Sequence, residues 1–114
     1  MERMQNITGI PERHQESLQL LRYEVGQFYG QHNDYIEYQA KRPVGPRILT
    51  FYLYLNDVPN GGETNFPRIG LSVTPKAGRA VLWPSVLNEA PNEMDLRSDH
   101  QAMPVIEGVK VRTT

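Results

Sequence analysis

Three histidines are the first residues of this sequence that could do chemistry. His14 lies in a polar stretch and fits no metal-ligand spacing with another donor, so we predict a surface residue. His32 differs, because Asp34 follows it two positions later. If this segment is extended, side chains at positions i and i+2 share a face, and the imidazole and the carboxylate project together. Taken alone, His-x-Asp is a weak motif whose simpler interpretation is a surface pair on a hairpin tip.

With a third donor, His100, the pair of His32 and Asp34 suggests a metal site. His100 lies far along the chain from His32, at the start of another predicted strand. Two imidazoles and one carboxylate form the facial triad that binds Fe(II) on one side and leaves three positions open for substrates. The same donors also suit a catalytic zinc ion. The donor set therefore leaves both an iron oxygenase and a zinc hydrolase open.

Lys110 favours the iron oxygenase over the zinc hydrolase. It follows the turn at Gly108, and in a strand returning beside the one that begins at His100 its ammonium could reach toward the metal. Zinc hydrolysis has no evident task for this lysine, whereas a dicarboxylate that chelates a metal at one end needs a cation at the other. Tyr23 offers a hydroxyl to the same carboxylate. The plainer interpretations are a solvated edge-strand lysine and a half-buried core tyrosine.

Composition narrows the class of protein. The chain has 114 residues, 12 Lys and Arg against 13 Asp and Glu, a formal charge of −1 and no cysteine. This length supports one compact domain. The near-neutral charge argues against a nucleic-acid partner, since such proteins carry a basic face. The lack of cysteine excludes disulfides, iron–sulfur clusters and cysteine nucleophiles, and no segment has the run of apolar residues that a membrane span needs.

Short strands must position these residues. Residues 1–16 read as a polar lead-in and residues 17–114 as the domain. The strongest strand signal covers residues 47–56 and predicts a central strand buried on one side and half-buried on the other. One face carries Leu49, Phe51, Leu53 and Leu55, and the other carries Ile48, Thr50, Tyr52 and Tyr54.

Further turns and strands complete the pattern. Residues 75–78 predict a hairpin between strands at 71–74 and 79–83, and a final strand pair is predicted at 102–106 and 109–113. Short antiparallel strands separated by turns are typical of a β-sandwich or barrel, with little helix.

Five motifs in order carry a family resemblance. They are Tyr23-Glu24-x-Gly26-Gln27-x-Tyr29-x-x-His32-x-Asp34, Arg47-Ile48-Leu49-Thr50-Phe51-Tyr52-Leu53-Tyr54-Leu55-Asn56, Gly61-Gly62-Glu63-Thr64-x-Phe66-Pro67, Pro75-x-x-Gly78-x-Ala80 and His100-x-x-x-Pro104-Val105-x-x-Gly108-x-Lys110. Together they resemble a prolyl 4-hydroxylase of the collagen-type and plant or algal branch of the 2-oxoglutarate- and Fe(II)-dependent dioxygenases. The resemblance begins at about Leu18 and extends to the last residue.

The resemblance implies a fold and an activity. The fold would be an all-β double-stranded β-helix, or jelly roll, with minor helix. The activity would be hydroxylation of peptidyl proline at C4 with O2, Fe(II) and 2-oxoglutarate, with ascorbate as reductant. The partner would be a proline-containing peptide or protein. The compartment would be the endoplasmic reticulum, with the cytoplasm as the alternative.

The resemblance also assigns roles to single residues. His32, Asp34 and His100 would be the iron ligands. The 2-oxoglutarate contacts would be a salt bridge from Lys110 to the C5 carboxylate, a hydrogen bond from Tyr23, and a neighbouring side chain, Thr64. Tyr29 and Arg47 match positions that line the groove for the peptidyl proline.

The sequence departs from the family at its ends. It stops at Thr114, soon after Lys110, so we expect a fragment that lacks the last strand and the helices that precede the barrel. Three alternatives stay open at this point. They are a 2-oxoglutarate oxygenase with another substrate, an inactive jelly-roll binding module, and a zinc hydrolase on a β-sandwich.

Overall fold

Strands make up most of the regular structure in the computed structural model, which describes residues 2–16, 18–35, 47–87 and 93–114. They are β1 (Leu20–Tyr23), β2 (Tyr29–His32), β3 (Leu49–Tyr54), β4 (Asn60–Gly61), β5 (Thr64–Phe66), β6 (Leu71–Val73), β7 (Ala80–Pro84), β8 (His100–Ala102), β9 (Val105–Glu107) and β10 (Lys110–Thr113). The lead-in contains α1 (Glu2–Thr8), and 3-10 turns cover Glu12–His14 and Leu96–Ser98. None of the helices described is long and apolar enough to cross a membrane.

The strands form two four-stranded antiparallel sheets. The first has the order β1-β10-β3-β7 and the second the order β2-β8-β5-β6, while β4 and β9 form a two-stranded ladder. The predicted all-β antiparallel fold with minor helix is confirmed. Strands close in sequence alternate between the sheets, so residues far apart along the chain face one another across the interior.

The inner face of β3 is its tyrosine face. Tyr52 and Tyr54 are 4% and 0% exposed, whereas Leu49 and Leu55 are 36% and 43% exposed. The buried side of the predicted central strand is therefore its tyrosine side, and the leucine side is partly exposed. Aromatic residues with a polar tip suit an interior that is itself lined by polar groups. The Tyr54 hydroxyl lies 2.6 Å from Oγ1 of Thr64, whereas the buried Tyr52 hydroxyl has no hydrogen-bond partner among the described residues.

Two predicted strand pairings were wrong. The loop at residues 75–78 does not close a hairpin, because β6 pairs with β5 and β7 pairs with β3 in the other sheet. The end of the chain forms three strands, each in a different ladder: β8 pairs with β2 and β5, β9 with β4, and β10 with β1 and β3. Alternation of apolar residues identifies a strand and its faces, but the partner depends on the whole topology.

The two glycines after β3 allow a close approach of backbone and side chain. A Cβ on Gly61 would lie 2.5 Å from the Pro104 carbonyl oxygen and 2.6 Å from the Ile106 amide nitrogen, so only glycine lets β4 pair with β9 there. A Cβ on Gly62 would lie 3.3 Å from Cδ of Lys110. The loop over residues 57–63 thus includes a two-residue strand, and it leaves room for the stem of Lys110.

Candidate metal centre

Pairing of β2 with β8 brings the two distant histidines together. His32 and His100 are directly opposite each other in the ladder, and their ring centroids are 4.3 Å apart. Oδ1 of Asp34 lies 3.7 Å from Nε2 of His32 and 3.6 Å from Nε2 of His100. One donor atom from each of the three residues lies within 4.8 Å of the others.

Backbone carbonyls orient both imidazoles. Nδ1 of His32 lies 2.7 Å from the Gly30 carbonyl oxygen, and Nδ1 of His100 lies 2.9 Å from that of Ser98. Each Nδ1–H therefore donates to a carbonyl, which leaves the Nε2 lone pair free to face Asp34. Histidines that bind metals through Nε2 are held in this way.

Thr50 of β3 orients the carboxylate. Its hydroxyl donates to Oδ2 of Asp34 in a short hydrogen bond, so Oδ1 remains directed at the two imidazoles. Donors that share one metal at bond lengths of about 2.0–2.2 Å lie roughly 3–4 Å apart. The distances from Oδ1 of Asp34 to the two imidazoles fall in this range, and the nitrogen and oxygen donors suit a divalent metal ion such as Fe(II).

Asn33, between His32 and Asp34, holds the segment that leads into His100. Its Nδ2 lies 3.0 Å from the Asp95 carbonyl oxygen, 3.2 Å from Oγ of Ser98 and 3.0 Å from Oδ1 of Asp99. The side chain thus ties the His-x-Asp segment to the 3-10 turn whose Ser98 carbonyl orients the third ligand candidate.

His100 is packed into the core. It is 5% exposed, and its ring centroid lies 4.7 Å from that of Trp83 and 5.7 Å from that of Phe66. Burial lowers the pKa of His100 below its ordinary value, although Asp34 opposes this effect. The neutral imidazole that results is the form that binds a metal.

Lys110 lies in the sheet opposite His100, and not beside it as predicted, because β10 is between β1 and β3. Its side chain is fully buried, with Nζ 5.0 Å, 5.6 Å and 5.8 Å from the ring centroids of Tyr23, Tyr52 and Tyr54. No residue in the described part of the chain forms a hydrogen bond with Nζ.

An unpaired buried ammonium is unfavourable, because burial removes its hydration without replacing it. Burial, with a smaller contribution from Arg112, lowers the pKa of Lys110 to about 8, and Glu63 offsets this only in part. The ammonium is therefore a ready binding partner for an anion that enters the interior.

Tyr23 and Thr64 lie in the same interior. Tyr23 is 7% exposed, and its hydroxyl accepts a hydrogen bond from Nη2 of Arg112 at 3.3 Å. Thr64 is 1% exposed, and its Oγ1 lies 2.6 Å from the Tyr54 hydroxyl. Both residues that the resemblance assigned to the co-substrate are thus buried polar groups. Tyr23 is opposite Lys110 in the first sheet, and Thr64 is on β5 in the second sheet, in contact with Tyr54.

The two predicted substrate residues, Tyr29 and Arg47, have different surroundings. Tyr29 is 49% exposed, and its ring centroid lies 4.1 Å from that of His32. Arg47 donates from Nε to Glu16 of the lead-in at 2.9 Å. Both line a cavity of about 1050 Å³ that also contains the three metal-ligand candidates. His14, predicted as a surface residue, is exposed.

Several contributors to the site were not identified from the sequence: Asn33, Thr50, Tyr52, Ser98 and Arg112. A signal did exist for Thr50 and Tyr52, which share one face of β3 with Tyr54, but the alternation did not show which face of the strand is the inner one. Asn33 and Ser98 act through partners that only the pairing of β2 with β8 brings close.

Two antiparallel sheets around a cavity, with two histidines and one aspartate on one side and a buried lysine on the other, define a jelly-roll protein with a facial-triad metal site. A comparison with family models agrees, since the model of the 2OG-Fe(II) oxygenase superfamily matches residues 18–114. The chain belongs to this superfamily.

Curated relatives are prolyl 4-hydroxylases. Prolyl 4-hydroxylase subunit alpha-2 of Gallus gallus is 38% identical over 116 aligned residues, which cover 96% of this chain and 21% of the relative. Probable prolyl 4-hydroxylase 10 of Arabidopsis thaliana is 39% identical over 133 aligned residues, which cover 98% and 45%. The chain thus spans less than half of the length of these relatives.

Solved structures confirm the double-stranded β-helix. A 2OG complex of the viral collagen prolyl hydroxylase vCPH from Paramecium Bursaria Chlorella virus-1 superposes with a TM-score of 0.77 at 23% identity, over 98% of this chain and 66% of that one. A truncated form of the same viral protein gives a TM-score of 0.76 at 28% identity, over 86% and 53%.

Proposed function

We propose that this chain is the catalytic domain of a 2-oxoglutarate- and Fe(II)-dependent oxygenase that hydroxylates peptidyl proline at C4. The observation that carries the proposal is the arrangement of charge in one interior, where the His32, Asp34 and His100 donors face a buried ammonium with no partner among the described residues. A metal on one side and a cation on the other suit a small dicarboxylate. The prolyl 4-hydroxylase relatives support proline as the substrate.

The three donors would hold Fe(II) through two imidazole nitrogens and one carboxylate oxygen. When bound with 2-oxoglutarate and O2, Fe(II) supplies the oxidising chemistry that converts a C–H bond to an alcohol, with succinate and CO2 as the other products. The chain contributes placement of the reactants. Carbonyls of Gly30 and Ser98 keep the imidazoles in the ligating tautomer.

Lys110 would bind the distal carboxylate of 2-oxoglutarate. The hydroxyl of Tyr23 accepts from Arg112, so its own proton is available to the same carboxylate. Thr64, whose Oγ1 contacts the Tyr54 hydroxyl, would also contact the co-substrate. Tyr29, half exposed beside His32, and Arg47, farther along the cavity, would contact the peptide.

We extend the proposal to ascorbate as reductant and to the endoplasmic reticulum as compartment, both on the resemblance to collagen-type prolyl 4-hydroxylases. Turnover that slows over repeated cycles without ascorbate, and recovers when it is added, would support the first. Imaging of the tagged full-length protein in its own cells would test the second.

Succinate release tests the activity directly. The protein is incubated with Fe(II), 2-oxoglutarate and O2, with and without a proline-rich peptide, and 4-hydroxyproline is measured in the peptide. Release that depends on the peptide and matches hydroxyproline formation supports the proposal. Release without hydroxyproline indicates another substrate, and binding of 2-oxoglutarate without any release indicates an inactive module. Hydrolysis that requires zinc would instead support the zinc alternative.

The lowered pKa of Lys110 predicts a stability that rises with pH. The pKa is about 8 in the folded chain against 10.5 for an ordinary lysine, so between these values the unfolded chain binds more protons and folding becomes more favourable as pH rises. The total gain is roughly 3 kcal/mol across this window. The groups that face Lys110 are Tyr23, Tyr52, Tyr54, Glu63 and Arg112. Urea unfolding of the metal-free protein from pH 7 to pH 10 measures the slope.

The affinity for 2-oxoglutarate should fall as pH rises, whereas the free energy of unfolding should increase. A carboxylate binds the protonated ammonium, so the dissociation constant of 2-oxoglutarate is expected to be flat below pH 8 and to rise by up to about tenfold per unit above it. A dissociation constant that does not change up to pH 10 would contradict the role of Lys110.

Replacement of Asn33 by alanine is expected to weaken Fe(II) binding by roughly 10–100-fold, because the segment before His100 loses the side chain that holds it. Metal titration monitors the affinity, and urea unfolding reports the separate loss of stability. Asn65→Ala, at an outward position of β5, is the matched control and should leave metal affinity unchanged. Equal effects of the two variants would remove Asn33 from the site.

A further inference from the structure

Arg112 is a second cation in the interior, two positions after Lys110 on β10. Because alternate residues of a strand share a face, both side chains project inward. In the ladder, Lys110 is opposite Tyr23 of β1, and Arg112 is opposite Tyr54 of β3. Tyrosines of both neighbouring strands therefore surround the two positive charges.

The guanidinium of Arg112 has weak partners for a buried group. Nη2 donates to the Tyr23 hydroxyl and Nη1 to Oγ1 of Thr114, each at 3.3 Å, and the guanidinium carbon lies 4.8 Å from the Tyr52 ring centroid. Nε is buried and has no hydrogen-bond partner among the described residues. Arginine has five N–H donors, so this group retains capacity for an anion.

Arg112 is also within reach of an anion that enters the cavity, which Arg13 and Arg47 line as well. Its side chain lines the cavity that contains the metal-ligand candidates, whereas Nζ of Lys110 is sealed from solvent. The acidic side chains that line this cavity in the described structure are Glu16, which pairs with Arg47, and Asp34 at the metal centre. The acid beside Lys110 is Glu63, which offsets the lowering of the Lys110 pKa only in part.

Two neighbouring positive charges in a buried site repel each other unless an anion lies between or beside them. Arg112 does lower the pKa of Lys110, which shows that the two charges interact. A carboxylate bound to both would remove this repulsion and would satisfy the free Nε and Nζ donors.

We propose that Arg112 binds the distal carboxylate of the co-substrate together with Lys110, and so selects a dicarboxylate over a 2-oxo monocarboxylate. This inference rests on the proposed function, because it names a further residue of the same co-substrate site. The planar guanidinium would bind one face of the carboxylate while the Lys110 ammonium binds it from the sealed side.

The test compares Arg112→Gln, Arg112→Lys and the control Arg22→Gln. Arg22 is on β1 next to Tyr23, and its side chain is 65% exposed on the outer face. Calorimetry measures binding of 2-oxoglutarate and of glutarate to the metal-free protein at pH 7 and pH 9. Steady-state succinate release separates KM from kcat, and metal titration gives the Fe(II) affinity.

Arg112→Gln should weaken binding of both dicarboxylates by about tenfold or more and should raise KM for 2-oxoglutarate, with kcat and Fe(II) affinity little changed. Arg112→Lys should recover part of the affinity, and the control should bind as the unchanged protein does. Removal of a neighbouring positive charge should also move the pH at which binding weakens upward, since the pKa of Lys110 then rises. A residue that only packed against Tyr52 would change stability without moving this pH.

Unchanged dicarboxylate affinity in Arg112→Gln, with the pH of weakening also unchanged, would overturn the inference. If the unchanged protein releases succinate while the variant keeps its KM, the inference fails and the oxygenase function stands. If dicarboxylates bind in an Arg112-dependent manner but no succinate is ever released, the inference stands and the oxygenase function fails.

Discussion

Replacement of His100 by glutamine is expected to abolish succinate release and to weaken Fe(II) binding by more than about 100-fold. Changes to residues that merely orient a ligand already cost 10–100-fold in metal affinity, so loss of a donor should cost more. His100 is the donor that only folding brings to the other two, through the pairing of β8 with β2. Anaerobic titration with Fe(II) or Co(II), followed by absorption, measures the affinity.

Two further variants test whether the loss of Fe(II) binding in His100→Gln is due to the loss of a metal ligand. His14→Gln removes a histidine from the exposed 3-10 turn and should leave metal affinity and turnover unchanged. Asp34→Asn keeps the shape of the side chain and its contact with Thr50, but it lowers the donor strength, and it should reproduce the loss of metal. Retention of full metal affinity by a folded His100→Gln protein would disprove the assigned metal centre.

Replacement of Lys110 by methionine should have opposite effects on stability and on binding. The ammonium is fully buried and unpaired among the described residues, so an apolar side chain of similar length should raise the free energy of unfolding at pH 7 by about 1–3 kcal/mol. The affinity for 2-oxoglutarate should fall by roughly 100-fold or more, because the distal carboxylate would lose its buried charge partner.

The matched control for this variant is Lys76→Met. Lys76 is exposed in the loop between β6 and β7, and its replacement should change neither quantity appreciably. Urea unfolding and calorimetry measure the two effects. The rise of stability between pH 8 and pH 10.5 should also vanish in Lys110→Met, since no other group described in the interior has a pKa lowered into that window. A less stable Lys110→Met protein with normal 2-oxoglutarate affinity would contradict the assignment.

The tyrosine face of β3 illustrates a feature that the sequence pattern did not predict, namely which face of a strand lies in the interior. Alternation placed Thr50, Tyr52 and Tyr54 on one side of the strand, but the pattern did not show which side faces the interior. The interior is polar because it contains a metal-ligand set and two cations, and tyrosine hydroxyls suit it better than leucine methyl groups. Because this strand borders a polar cavity, its tyrosines are buried and its leucines are partly exposed, whereas leucine is ordinarily the more buried residue.

Lys110 shows that the sequence pattern did not predict which strands pair with each other. Its chemical role was inferred from its type and from the dicarboxylate that a facial triad can take, yet it was expected in a strand beside that of His100. The structure places it in the opposite sheet, from which its side chain reaches the interior past Gly62. Strand partners depend on loop closure and on packing of the whole domain, which a local pattern does not contain.

The sequence by itself determined the strand-rich architecture, the shared face of His32 and Asp34, and the residue types of a metal and dicarboxylate site. These properties are local, because they follow from the period of two along a strand and from the chemistry of single side chains. The tertiary structure decided which residues meet: His100 across from His32, Asn33 against the turn before His100, and Arg112 beside Lys110 above the tyrosines. Contacts between distant segments exist only once every strand has found its partner, so they are properties of the folded domain.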